Sequence, residues 1–243
     1  MRQNQPMKKY KKEIVEILNT YSSKKQFYPG IRWAFDEISD ESEYLILGIN
    51  PSNSYSKVKS VINKSELTEL KTLFTNQKEY NEFLSKKENE GKITTLQREA
   101  HKYHPHFKKH KNFASYLGIE KSYQFFDLFP IWEIKQEDLL ADLDKNIDLK
   151  NELIDAFNNL IERKSNIKAL LFFNAKAAKF YFKNNHIEHK SIKFKLESQR
   201  KYSYVIKGEV KNINVLGFGI GGWDFSGEKL IELAQKTKLL LKQ

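Results

Sequence analysis

Apolar residues fall along this chain in two rhythms. Short continuous runs bounded by turn residues read as buried strands, and longer stretches with apolar positions three and four apart read as helices. The first run is Tyr44–Ile49, stopped by Asn50-Pro51-Ser52. Three more behave alike: Tyr123–Phe129 ends at Pro130, Ala169–Phe173 ends at Asn174, and Ile213–Phe218 runs into a glycine-rich turn. Met7–Tyr21 carries Tyr10, Ile14, Ile17 and Leu18 on one helical face, with lysines opposite. Asp148–Arg163 and Ala175–Lys183 are helical by the same spacing, and Ser226–Leu241 forms a last helix with Ser226 as its N-cap. Strands alternating with helices predict an α/β three-layer sandwich, with a mostly parallel four-stranded sheet covered by helices on both faces.

Some segments fall outside that core. Residues 60–110 are polar, rich in lysine and glutamate, and predict a helical insertion over the sheet. Ile192–Ile206 alternates in two arms around Glu197–Lys201, the pattern of a small hairpin, and Ile31–Ile38 reads as short and irregular. No internal repeat or linker divides the chain, so residues 1–243 are expected to form a single domain.

Composition narrows the partners. Hydrophobic residues at 40% exclude wholesale disorder. No run approaches the roughly 20 apolar residues of a membrane span. The opening MRQNQPMKKYKK has charge but no apolar stretch behind it, so no secretory signal is visible and a cytoplasmic location is the simple expectation. The absence of cysteine excludes disulfides, thiolate nucleophiles, zinc ribbons and iron–sulfur clusters. A net charge of +11 suits a polyanionic partner such as nucleic acid, or else reflects lysines that only solvate the surface.

In open α/β sheets, ligands bind beyond the carboxyl ends of the strands. Those ends carry Asn50-Pro51-Ser52, Asp127, Asn174, and Gly219–Trp223 with Asp224. Turn chemistry explains any one of them. Four polar strand ends on one edge of an apolar sheet favour a site.

Gly48–Ser52 (GINPS) resembles the first motif of the uracil-DNA glycosylase superfamily, most nearly its mismatch-specific and single-strand-selective branches. Phe125–Pro130 (FFDLFP) looks like that superfamily's second strand, and Leu170–Tyr181 (LLFFNAKAAKFY) is similar to a later strand with its following helix. The resemblance spans roughly residues 40–240 in order and approximate spacing. It implies that Asn50 positions the hydrolytic water, with Gly48, Ile49, Pro51 and Ser52 forming the surrounding loop. Backbone N–H groups at Ser52 and Asn53 would approach a phosphate. Tyr55 or Phe126 would stack on an extruded base, although Phe126 also alternates as a core residue does, and Asn174 would line the same pocket.

Two departures change what the resemblance implies. Where many relatives read uracil with an asparagine, this chain has Asp127. An ionised carboxylate only accepts hydrogen bonds, so as a base reader it favours an exocyclic amine such as that of cytosine over a keto oxygen. Asp127 is otherwise a general base, or the cap of a turn. Where most relatives carry a His-Pro-Ser sequence, Gly217–Lys229 (GFGIGGWDFSGEK) has no histidine. Gly221 and Gly222 permit close approach to DNA, and Trp223 is either a wedge or a core residue.

Four of the six histidines lie in His101–His110 (HKYHPHFKKH). The spacing lacks the carboxylates and frame of a metal site, and no cofactor is expected. His104, His106, Lys108 and Lys109 suit a patch facing nucleic acid. The expectation is therefore a monomeric DNA glycosylase that removes a flipped, non-uracil base, in repair or in defence against foreign DNA carrying modified bases. The alternatives are a non-catalytic nucleic-acid-binding module of the same fold and an enzyme acting on a small nucleotide.

Overall fold

A continuous apolar run is stable as a strand only where both faces are covered, and β1 (Tyr44–Gly48) is such a strand, with Leu45, Ile46 and Leu47 all buried. The computed structural model describes residues 5–22, 39–49, 55–131, 136–195, 203–219 and 227–242. Before and after β1 come α1 (Gln5–Ser22), α2 (Tyr55–Lys64), α3 (Gln77–Ser85), α4 (Glu90–Tyr103) and α5 (Pro105–Leu117). Then follow β2 (Tyr123–Asp127), α6 (Gln136–Lys145), α7 (Ile147–Arg163), β3 (Ala169–Phe172) and α8 (Ala175–Asn184). The chain closes with β4 (His189–Phe194), β5 (Ser203–Val210), β6 (Ile213–Gly219) and α9 (Gly227–Leu240). The segment Ile31–Ile38, the hairpin tip Glu197–Lys201 and the cap Ser226 lie outside the described residues.

Contacts group the described residues into two compact units. The first draws on residues 1–37, 49–108 and 127–159, and the second on 38–48, 109–126 and 160–243. The first unit is helical. Val58, Ile62, Leu70, Phe74, Tyr80, Phe83, Leu84, Ile93 and Leu96 give it a core of its own. The predicted helical insertion is thus helical and self-packed, but its boundary differs: α5 runs on past His110 to Leu117 as one helix. On α1, Tyr10, Ile14 and Leu18 are fully buried, as their spacing predicts.

The second unit holds the sheet, with strand order β2-β1-β3-β6-β5-β4. β1, β3 and β6 pair in parallel, and the register sets Leu47, Phe172 and Gly217 level. The strand entries are pinned by polar groups: Asn166 donates to the carbonyls of Asp40 (2.8 Å) and Ser42 (2.6 Å), and Lys168 pairs with Glu43 at 2.7 Å. Phe113, Ala114 and Leu117 of α5 and Leu230, Leu233 and Ala234 of α9 pack with Ile46, Leu171 and Leu216 on one face. On the other face, α8 seats Ala178 on Gly217 and stacks Tyr181 near Phe172, ring centroids 5.5 Å apart. Helices therefore cover both faces of a mostly parallel sheet.

The sheet has six strands where the apolar runs predict four. β4 and β5, the two arms of the expected hairpin, are antiparallel to each other and β5 is antiparallel to β6. The hairpin extends the sheet because β5 continues to Val210 and returns through Lys211-Asn212 directly into β6. Both turn residues have positive φ, the mirror-image turn that follows strand twist.

Gly217 has a steric reason. A Cβ built there would lie 2.1 Å from the Ala178 Cβ. Gly217→Ala is expected to cost about 1–3 kcal/mol as an overpacked core position, read as a fall in the urea midpoint. Ala178→Gly in the same chain should recover part of that loss; failure of this rescue would show that β6 and α8 do not meet there.

Candidate functional site

The carboxyl end of β2 carries the most unusual group of the described strand ends. Asp127 is only 9% exposed, and a carboxylate out of water needs donors. Gln97 of α4, 6% exposed, supplies one through Nε2 at 3.4 Å from Oδ2. The partner can only accept, so the amide nitrogen faces it and the orientation of the Gln97 side chain follows. Its other end, Oε1, is buried and accepts no hydrogen bond among the described residues.

Tyr10 of α1 completes the surroundings. Its fully buried phenol is pushed far above its ordinary ionisation range, first by burial, then by the charge of Glu13 and then by that of Asp127. It is a neutral O–H at any physiological pH. Tyr10, Glu13, Gln97 and Asp127 all belong to the first unit.

The segment after β1 reaches the same place. The Phe129 N–H donates to the Ile49 carbonyl at 2.8 Å, so the chain leaving β2 is tied to the chain that leads into Asn50. Ile49, Phe129 and Asp127 are again residues of the first unit. Gly48 ends β1, half-buried, and Ile49 is buried. Asn50, Pro51 and Ser52, with Gly221, Gly222 and Trp223, lie outside the described residues, as does the side chain of His106.

Three other predicted site residues have work that is plainly structural. Asn174 is the N-cap of α8, where its Oδ1 accepts from the Lys176 N–H at 2.9 Å. Tyr55 donates its hydroxyl to the Thr75 carbonyl and packs its ring near Tyr80 and Phe74, centroids 6.0 and 6.1 Å away. Phe126 is buried, as its alternation predicts.

The histidine-rich stretch divides. His110 is 4% exposed and stacks on Phe125, centroids 5.3 Å apart and planes 10° from parallel, with Phe173 at 4.6 Å. It belongs to an aromatic cluster and not to a surface patch. His101 packs edge-on to Phe107 at 4.2 Å. His104 is half-buried, and its pKa is lowered, first by burial and then by the charges of Lys57 and Lys64. Those two lysines of α2 extend the basic patch, and Lys108 is exposed nearby in sequence while Lys109 is half-buried. Among the described residues, no group of three histidine, aspartate or glutamate side chains is placed to hold a metal ion.

Sequence reasoning missed Gln97, Tyr10 and the two α2 lysines. Gln97 had a signal: with Ile93, Leu96 and Ala100 it falls in the buried stripe of α4 at helical spacing. No family model, no curated protein and no solved structure gives a significant match to the chain. No helix among the described residues is long and apolar enough to cross a membrane.

His104 sets a pH dependence. With its folded pKa below the ordinary 6.5, the unfolded chain takes up the proton first as pH falls. Stability should therefore drop between pH ~6.5 and the lower folded value, and His104→Gln should flatten that part of the curve. Urea midpoints between pH ~7.5 and ~5.5 make the comparison; identical slopes for the two proteins would exclude this coupling.

Proposed function

We propose that this chain is a DNA glycosylase that hydrolyses the N-glycosidic bond of a flipped, amino-bearing base. The observation that carries the reading is the burial of Asp127 beside the segment that runs from β1 into Asn50, held there by the Phe129–Ile49 hydrogen bond. A buried acceptor-only group at a strand's carboxyl end is suited to an N–H edge and hostile to a keto oxygen. In this reading Asn50 places the water. The C1′–N bond breaks toward an oxocarbenium-like sugar, the water oxygen bonds to C1′, and the base departs with the bonding electrons and takes up a proton. Positioning contributes most of what such a step requires. Lys57, Lys64 and Lys108, with the net charge of +11, supply the attraction to the phosphate backbone.

A second reading keeps the binding and drops the chemistry, because Gly217–Lys229 contains no histidine to stabilise the departing base. Oligonucleotides that carry cytosine, modified cytosines, adenine or uracil at one position separate the two readings. The glycosylase leaves abasic sites that alkali cleaves, and Asn50→Ala lowers the rate at least ~10²-fold. Undiminished cleavage by that variant sinks the assignment of Asn50. Salt-dependent binding with no cleavage across the panel selects the non-catalytic module. Asp127→Asn, which adds a donor, should move the preference toward keto bases.

A further inference from the structure

We infer that Gln97 is a second base-reading residue, and that Gln97 and Asp127 together accept the two protons of one exocyclic amino group. The inference rests on the glycosylase reading and names the substrate class more closely.

Gln97 is held by its own partner. Asp127 accepts from Nε2, which turns Oε1 away from the carboxylate and leaves it buried with no donor among the described residues. Buried acceptors without donors are uncommon in folded proteins, and each calls for an explanation. A carboxylate has about four lone-pair directions, so the bond from Gln97 does not exhaust Asp127. The result is two acceptors fixed relative to each other by a hydrogen bond between them, on α4 and at the end of β2. The Ile49–Phe129 bond places the entry to the Asn50 loop against the same strand end.

The chemistry that fits two neighbouring acceptors is a planar –NH₂. Its two hydrogens diverge by about 120° and satisfy both at once. A keto oxygen in the same place meets two acceptors and no donor. A monoalkylated amine offers one hydrogen and leaves either Gln97 or Asp127 unpaired in a dry site. The substrate class is thus a base with an unsubstituted exocyclic amine, of the cytosine or adenine type, in which any modification sits elsewhere on the ring.

The test compares oligonucleotides that differ only in that group: cytosine, N4-methylcytosine and uracil in one series, adenine, N6-methyladenine and hypoxanthine in the other. Base release and anisotropy-measured affinity are both read. Wild-type protein should favour the free amine over its N-methyl form by ~10–10²-fold, and over the keto form by at least ~10²-fold, in whichever series it accepts. Gln97→Met, close in volume, should compress the amine to N-methyl ratio to about 3-fold or less while the keto form stays rejected through Asp127. Release with a flat amine to N-methyl ratio overturns this inference and leaves the glycosylase reading standing. Discrimination in affinity with no release supports the two-acceptor site and overturns the glycosylase reading. Neither release nor discrimination overturns both. The wild-type series decides the matter even where Gln97→Met fails to fold.

Discussion

The parallel ladder that joins β1, β3 and β6 is the constraint from which the rest of the second unit follows. These strands carry almost no polar side chains, so their backbone groups find partners only along the ladder and their faces only under helices. The register then decides where each loop leaves. With Leu47, Phe172 and Gly217 level, the strands end together and their loops emerge on one edge. β2 lies on one side of β1 and β3 on the other, so the connections reverse direction beside β1. That reversal is where open α/β sheets bind ligands. The Gly217–Ala178 contact is the steric condition for closing α8 onto this ladder, since any larger residue in β6 would lift the helix away.

How much of this was legible follows from what periodicity can carry. A dry strand announces itself as a short unbroken apolar run, and the four such runs are β1, β2, β3 and β6 with ends displaced by at most two residues. Alternation likewise revealed the arms of β4 and β5, but it records only that one face is covered. Which strand they pair with depends on Lys211-Asn212, a turn that lacks the glycine by which such turns are usually recognised. Strand order is equally silent in a pattern, because it is set by contacts between residues far apart in the chain. The helical stretch showed its helices but not its separate core, whose members Phe74, Tyr80 and Phe83 are scattered among lysines and glutamates.

The candidate site was legible by residue type and illegible by environment. Asn174 and Asp127 are both polar residues ending apolar strands, and nothing in the sequence ranks them. The structure separates them by what their oxygens meet. Asn174 gives its acceptor to the first turn of α8, the ordinary use of asparagine before a helix. Asp127 is instead drawn inside, toward a glutamine, a tyrosine and a second carboxylate. Gln97 was overlooked because it lies in a polar stretch, where an amide reads as solvent-facing unless the helical stripe through Ile93, Leu96 and Ala100 is traced first.

Burying Asp127 is costly for folding alone. The printed donor sits at 3.4 Å, long for a bond to a charged acceptor, and the neighbouring carboxylate of Glu13 and the acidic field at Tyr10 add repulsion to desolvation. An apolar residue at the end of β2 would satisfy the core with none of these costs, as Phe126 does one position earlier. Local choices that work against the fold concentrate where a ligand is bound, because the ligand supplies the missing partners. The same asymmetry holds at His104, kept neutral by burial and by Lys57 and Lys64. A phosphate alongside those lysines would offset their field and restore the proton. Both places are short of a group from outside: an N–H donor at Asp127 and Gln97, and an anion at Lys57 and Lys64. A nucleotide carries the two together, on its base and on its backbone.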